Sequence, residues 1–284
     1  MFFPGFTLDT TGTTRMRTGG HGPPLLLLHG QPQTHAMWHR VAPLLADRFT
    51  VICPDLSRHE TEAALAADML ALMSRLGHER FGIVGHDLGG HVACRMALDA
   101  PERVTRLAVL EIVPVPEHVN RADMAYSLSR YESCWFGQLH PKPEALVTHA
   151  PDAWFAAAAP GESRDFFHPE AVADYQRADT HLKEREIEGA PADIRAVSPK
   201  PAEADHRLRL TCPVLVIWGS KGRIGGWYDP LQLWRECVDN SVSGGPVPAG
   251  HFVAEETPEA VAVAVRAFFA EHRIPPQAGQ KRAI

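Results

Sequence analysis

The chain has 284 residues, of which 45% are hydrophobic, and this is enough apolar sequence to bury a sizeable core. Its formal net charge of −6 and its lack of long basic runs argue against a nucleic-acid-binding protein. The five cysteines lack disulfide-like spacing, and the sequence contains no signal-peptide pattern and no apolar stretch long enough to span a bilayer. We therefore expect a cytoplasmic protein with reduced thiols that does not contact a membrane.

Short apolar runs alternate with helix-like stretches along most of the chain. Pro43 must kink the first of the predicted helices or lie in a first turn. Continuous apolar strands that alternate with helices predict an α/β fold, with a mostly parallel sheet covered by helices on both faces. The predicted strands are 25–30, 49–56, 81–85, 104–114 and 212–219, and the predicted helices are 36–48, 60–77, 89–100, 230–238 and 258–272.

The alternation stops between residues 115 and 208, and the strand pattern resumes only at Thr211. This stretch is rich in proline, alanine, histidine and charged residues, with helical patterns at 119–132 and 169–186. We interpret 115–208 as an inserted helical cap (lid). Residues 1–114 and 209–284 are then the two halves of one core domain.

The most informative motif is Gly-His-Asp-Leu-Gly at 85–89, which follows an apolar strand and precedes a helix. This pattern is typical of a nucleophile elbow, a tight strand-to-helix turn whose flanking glycines tolerate close backbone contacts. Asp87 occupies the position of the nucleophile, where many hydrolases carry serine. The N–H groups of Leu88 and of Gln31, after the 25–30 strand, are expected to form an oxyanion hole. His251, in a loop after the final strand signal, is the predicted base.

The acid that orients this histidine has two possible locations. The turn after the 212–219 strand contains Ser220 and Lys221 but no nearby carboxylate, and Asp229 comes late. The strand before it ends near Glu111, which we predict to be the acid. His86 and His29 are interpreted as packing or loop-shaping residues. No metal is predicted, because no H-x-x-x-H motif has a matched acid.

Four stretches resemble the haloacetate (fluoroacetate) dehalogenases of the α/β-hydrolase superfamily: 19–56, 85–114, 218–238 and 248–259. The resemblance implies an α/β-hydrolase fold without a cofactor. It implies that Asp87 is the nucleophile and His251 the base, and that Glu111 stands where the family carries an aspartate. A homodimer is compatible with this resemblance.

The chain departs from that family where the family binds its substrate. Leu88 and His91 occupy the positions of two arginines that hold the substrate carboxylate. Ser133 and Cys134 align with a His-Trp pair, and Ile194 with a tyrosine, that donate to the halide. We therefore expect a substrate other than fluoroacetate. Further candidate pocket residues are Trp38, Trp135, Arg130 and Arg195. Arg130 and Arg195 are candidates to hold a substrate carboxylate in place of the two missing family arginines.

A carboxylate nucleophile explains the aspartate in the elbow, because it is already charged at neutral pH and needs no base to attack. Attack on a saturated carbon would form an alkyl ester of Asp87, which His251 and water would then hydrolyse. The leaving group is either a halide or the heteroatom of a strained ring. Three hypotheses follow: a dehalogenase-like hydrolase, an epoxide (or other strained-ring) hydrolase, and a non-catalytic ligand-binding protein of the same fold.

Overall fold

We analysed a computed structural model that describes residues 2–31, 33–56, 61–114, 165–185 and 209–270, with the backbone alone for 179–185. These residues form an 8-stranded sheet with the spatial order β1-β2-β4-β3-β5-β6-β7-β8. The strands are β1 (Phe6–Thr11), β2 (Thr14–Gly20), β3 (Pro24–Leu28), β4 (Thr50–Pro54), β5 (Phe81–His86), β6 (Val104–Leu110), β7 (Val214–Gly219) and β8 (Val242–Val247).

The sheet is parallel from β4 to β8, as the continuous apolar runs predict. Strands β1 and β2 form an antiparallel hairpin, and β2 also pairs antiparallel with β4. The sequence analysis does not predict this hairpin. Its first strand is polar and largely exposed, so it lacks the apolar run that identifies the central strands.

Helices pack beside the strands as the alternating pattern predicts. The predicted helix 36–48 is instead a 3₁₀ turn, His35–Trp38, followed by a short helix in which Pro43 lies in the first turn. The helices of the described residues are α1 (Ala42–Leu45), α2 (Glu62–Arg75), α3 (Leu88–Asp99), α4 (Pro169–Arg185), α5 (Ile224–Trp227), α6 (Pro230–Cys237), α7 (Val253–Glu256) and α8 (Pro258–Ala270).

Two apolar clusters form the core, and the alternation of side chains along the strands separates them. Leu25 and Leu27 of β3 belong to one cluster, with residues of α1 and α8. Leu26 and Leu28 belong to the other, with residues of α2, α3 and α6. Successive strand residues point to opposite faces, so helices cover both faces of the sheet, as predicted.

Helix α4 is the described part of the predicted cap, 115–208, and it agrees with the helical pattern at 169–186. The helical pattern at 119–132 lies outside the described residues. Within the described part of the chain, no helix is both long and apolar enough to cross a membrane.

Candidate active site

Asp87 lies at a sharp turn between β5 and α3. Its φ of 49° is unusual for a residue with a side chain and agrees with the strained backbone of a nucleophile elbow. The Asp87 N–H donates to the Leu110 carbonyl at 3.1 Å, and the Asp87 carbonyl accepts from the Gly90 N–H at 2.8 Å. The neighbouring strand and the first turn of α3 therefore hold the turn on both sides.

The glycines that flank the elbow are required by close backbone contacts. A Cβ atom on Gly85 would lie 2.3 Å from the Gly89 carbonyl oxygen, and one on Gly89 would lie 2.4 Å from the Leu28 carbonyl oxygen. Both distances are far below a van der Waals contact. The crowding expected from the motif is thus present, and it lets α3 begin directly against the end of β3.

The Asp87 carboxylate is 30% exposed and faces three groups that favour its charged form. The Gln31 N–H donates to its Oδ1 at 3.3 Å, and the Leu88 N–H also bonds the carboxylate. Its Oδ2 lies 3.7 Å from His251 Nε2, which is too long for a direct hydrogen bond. Burial by itself raises the pKa of Asp87, but attraction to His251 and the hydrogen bond from the Leu88 N–H outweigh burial and lower it to about 2. The carboxylate is therefore ionised at neutral pH.

Glu111 directly follows β6 and is almost completely buried, with 3% exposure. Its Oε1 accepts from the Gly219 N–H at 2.6 Å, and its Oε2 lies 3.4 Å from His251 Nδ1. Like Asp87, it has a positive φ, 57°. The structure thus places the His251 imidazole between the carboxylates of Asp87 and Glu111, and the role of the three residues as a triad stays a prediction.

The main chain around His251 is held on both sides of the residue. The two oxygens of Glu256 accept from the Gly250 N–H at 2.7 Å and from the Phe252 N–H at 3.0 Å. His86 Nε2 lies 2.9 Å from the His251 carbonyl oxygen, so this ring nitrogen is assigned as the donor. Burial, reinforced by the nearby His251, lowers the pKa of His86 to about 4, so His86 is neutral. The residue before Asp87 therefore supports the loop that carries His251.

His29 shapes the loop that carries Gln31. The Leu56 N–H donates to His29 Nε2 at 2.9 Å, which assigns Nδ1 as the donor to the Gly30 carbonyl, also at 2.9 Å. The Gln33 N–H donates to the same Gly30 carbonyl at 3.0 Å and closes the turn around Gln31. His29 and His86 thus have the loop-shaping role expected of them.

Two of the remaining predicted pocket residues, His91 and Trp38, lie in the described part of the chain. His91 is half-buried one turn into α3, and its N–H donates to the Asp87 carbonyl at 3.2 Å. Trp38 is fully buried in the apolar cluster that contains Leu25, and its place at the pocket floor stays a prediction. The other candidates lie outside the described residues: Arg130, Ser133, Cys134, Trp135, Ile194 and Arg195.

One group of side chains among the described residues has the donor types and spacing of a metal site: His35, Asp55 and Asp174. Arg15 lies 3.3 Å from Asp55 and 2.8 Å from Asp174. A guanidinium therefore already supplies the positive charge that these carboxylates need, and the group is better described as an ion-pair network between β2, β4 and α4.

Sequence reasoning missed Gly219, Gln33, Glu255 and Glu256, which support the site without belonging to it. Glu256 has the simplest relation to the site. It follows His251 by five positions, and its carboxylate accepts from the main-chain N–H groups on both sides of His251. A Glu shortly after a catalytic-type histidine is visible in the sequence, but its partners are main-chain groups that only the folded loop brings within reach.

A sequence model of the alpha/beta hydrolase fold matches residues 23–258. Fluoroacetate dehalogenase from Burkholderia sp is 34% identical over 275 residues, covering 90% of each chain. Soluble epoxide hydrolase from Corynebacterium sp. (strain C12) is 31% identical over 279 residues, covering 90% of this chain and 93% of the relative. The fold is also similar to the crystal structure of a protein from Nostoc sp PCC 7120 assigned as an α/β hydrolase. That similarity has a TM-score of 0.82 and 38% identity, covering 94% of this chain and 98% of the other.

Proposed function

This chain belongs to the α/β-hydrolase family, and we propose that it hydrolyses carbon–halogen bonds through an alkyl ester formed on Asp87. The observation that carries the proposal is an ionised carboxylate at the elbow, with His251 Nε2 at 3.7 Å and Glu111 behind the same imidazole at 3.4 Å. An aspartate in this position attacks an electrophilic carbon without prior deprotonation. No Lys or Arg within 4.0 Å neutralises Asp87 among the described residues.

In the first step, Asp87 displaces the leaving group at a saturated carbon. Oδ1 is held by the Gln31 N–H at 3.3 Å, so Oδ2, which faces His251, is the oxygen that attacks. The new Oδ2–carbon bond forms as the carbon–halogen bond breaks, and the halide leaves with the bonding electron pair. The product of this step is an alkyl ester of Asp87.

In the second step, His251 accepts a proton from a water molecule, which attacks the carbonyl carbon of the ester. Glu111 stabilises the resulting imidazolium and keeps Nε2 available as the base. Oδ1 becomes the oxyanion and is stabilised by the N–H groups of Gln31 and Leu88, each worth about 3–4 kcal/mol in comparable sites. Collapse of the intermediate breaks the Cγ–Oδ2 bond, and the departing alkoxide takes a proton from the imidazolium to leave as the alcohol. The remaining proton, from the attacking water, is lost to solvent as the carboxylate is restored. Neither step uses a cofactor.

The substrate class rests on the relatives and on the departures from them. A relative named fluoroacetate dehalogenase aligns with nearly the whole chain, which supports carbon–halogen chemistry. Leu88 and His91 replace the two arginines that hold the carboxylate in a fluoroacetate site, which favours a substrate other than fluoroacetate: a halogenated carboxylic acid with another anchor, or a bulkier relative.

An epoxide hydrolase is the second candidate, because a relative named soluble epoxide hydrolase aligns over 93% of its own length. The same ester chemistry opens a strained ring, but the alkoxide oxygen then needs a proton from an acid in the cap. A panel of haloacids, beginning with chloroacetate, and of epoxides, beginning with styrene oxide, separates the two. Halide release supports the first candidate, and diol formation without halide supports the second.

The decisive experiment is a single turnover in H₂¹⁸O, followed by mass spectrometry of the product and of the peptide that contains Asp87. We expect the first-turnover product to carry ¹⁶O from Asp87 and the peptide to gain one ¹⁸O. In His251→Ala, the ester should persist as a mass increment on the protein. Asp99→Asn, which alters an exposed ion pair with Arg95, is the matched control and should retain full turnover.

The proposal fails if the label enters the product directly, since water would then be the nucleophile. A protein that binds panel compounds but forms neither ester nor product would instead support the non-catalytic hypothesis. Asp87→Ala should abolish turnover under the proposal and should leave binding intact under the alternative.

A further inference from the structure

Glu255 is a buried carboxyl group that the proposed mechanism does not use. It lies on α7, four positions after His251, and has no solvent exposure. The Tyr175 hydroxyl of α4 donates to its Oε1 at 3.0 Å, and the Gln33 Nε2 donates to its Oε2 at 2.5 Å. One side chain therefore contacts the cap helix and the loop of the oxyanion hole at the same time.

The partner Gln33 is connected directly to the oxyanion donor. Its main-chain N–H closes the turn onto the Gly30 carbonyl at 3.0 Å, and this turn presents the Gln31 N–H to Asp87 Oδ1 at 3.3 Å. The Gln33 side chain is buried, and its Oε1 has no hydrogen-bond partner in the part of the chain that the structure describes. The bond to Glu255, together with an interaction with the Tyr175 hydroxyl, therefore holds the buried amide.

The partner Tyr175 belongs to a second, independent link between the cap and the same loop. Tyr175 is 4% exposed, and its neighbour Asp174 accepts from the Thr34 hydroxyl at 2.6 Å. Two successive residues of α4 therefore contact the loop. Asp174 contacts Thr34 directly, and Tyr175 is linked to Gln33 through Glu255. A shift of α4 would be transmitted to the position of the Gln31 N–H.

We propose that Glu255 is a positioning residue that couples the seating of cap helix α4 to the geometry of the oxyanion hole. This inference rests on the proposed function for its kinetic consequence. The oxyanion forms only in the second step, so loosening Gln31 slows ester hydrolysis more than ester formation. A residue needed only for folding would not divide the two steps in this way.

The test compares three variants by kinetics and by hydrogen–deuterium exchange of the peptide 29–38. Tyr175→Phe removes only the hydroxyl from the cap, Glu255→Met removes both bonds, and Glu255→Gln retains polar groups for both partners. Thr105→Val is the matched control, because it removes a hydroxyl bond to the Phe81 carbonyl at the opposite ends of the strands.

We expect the Gln33 amide to exchange at least tenfold faster in Tyr175→Phe and Glu255→Met. With chloroacetate as the probe, ester hydrolysis should slow about tenfold or more in both variants, so that the ester accumulates. Glu255→Gln should recover most of the rate, because the Gln33 amide can turn its free Oε1 toward the new N–H group. Thr105→Val should leave both readouts unchanged.

Exchange of peptide 29–38 within twofold of the unmodified protein in both Tyr175→Phe and Glu255→Met would overturn the coupling. Equal slowing of both chemical steps would also overturn it, since that result indicates general loss of structure. If the unmodified protein forms no ester with chloroacetate, the proposed function is what fails for that probe. The exchange measurement does not depend on turnover and still decides the coupling.

Discussion

Replacing Glu111 by glutamine tests the role of the orienting acid with almost no change in shape. Glu111 Oε1 accepts from the Gly219 N–H at 2.6 Å, and only Oε2 faces His251 Nδ1, at 3.4 Å. In Glu111→Gln the amide oxygen must stay with the Gly219 N–H, which places the NH₂ group against Nδ1. His251 then takes the tautomer with a proton on Nε2, where it cannot act as a base.

We expect Glu111→Gln to slow ester hydrolysis strongly and ester formation only slightly. The same carboxylate-to-amide exchange in serine-protease triads lowers kcat about 10⁴-fold, equivalent to about 5.5 kcal/mol. Because the Glu111–His251 contact, at 3.4 Å, is longer than a strong hydrogen bond, we expect about 10³–10⁴-fold slower ester hydrolysis. Ester formation does not need the base and should change less than about tenfold.

The assay is rapid-quench mass spectrometry of the protein, which follows formation and decay of the ester in one experiment. Asp229→Asn is the matched control, because Asp229 is the later carboxylate that could compete for the same role. Its side chain instead accepts from the Gln232 N–H at 3.0 Å and caps α6, and because asparagine caps a helix about as well as aspartate, little change in stability or rate is expected. Ester hydrolysis in Glu111→Gln within threefold of the unmodified rate would refute the assignment.

Three further predictions concern packing and pH. Gly89→Ala places a Cβ 2.4 Å from the Leu28 carbonyl oxygen and should lower the free energy of unfolding, measured with urea, by about 3 kcal/mol or more. The control Gly226→Ala, where a Cβ meets open space, should change that free energy little. Burial raises the pKa of Glu255 from 4.5 to about 8, so the folded state retains a proton that the unfolded state loses, and the contribution of this group to stability should fall as pH rises between these values, by up to about 1.4 kcal/mol per pH unit. Buried His86, with its pKa lowered to about 4, gives a slope of the opposite sign below pH 6.5, so the measurement is the difference in urea unfolding free energy between the unmodified protein and Glu255→Gln, which should show the Glu255 slope. The pKa of Asp87, near 2, predicts that single-turnover ester formation stays nearly constant from pH 8 down to about pH 3.5, and a decline centred near the usual carboxylate pKa of 3.8 would contradict it.

The sequence by itself determined the central sheet and the elbow, because both are encoded in contiguous residues. The apolar run 81–85, the Gly-His-Asp-Leu-Gly motif and the helix after it specify β5, the turn and α3 through local periodicity and steric demands. The same local rules fail for the polar hairpin β1–β2, which is stabilised by pairing with a strand distant in the chain. Pro43 likewise divides a pattern that reads as one helix.

Only the tertiary structure decided how the parts of the site meet. Glu111 and His251 are 140 residues apart, and their pairing is predicted from the end of a strand and not from spacing. Gln33 and Glu255 are 222 residues apart, and nothing local in the sequence indicates their contact. The carboxyl ends of neighbouring parallel strands bring such residues to one edge of the sheet. Main-chain partners, such as the N–H groups that Glu256 binds, exist as partners only once the loop has folded. Local preferences thus select the elements, whereas long-range packing assembles the chemistry.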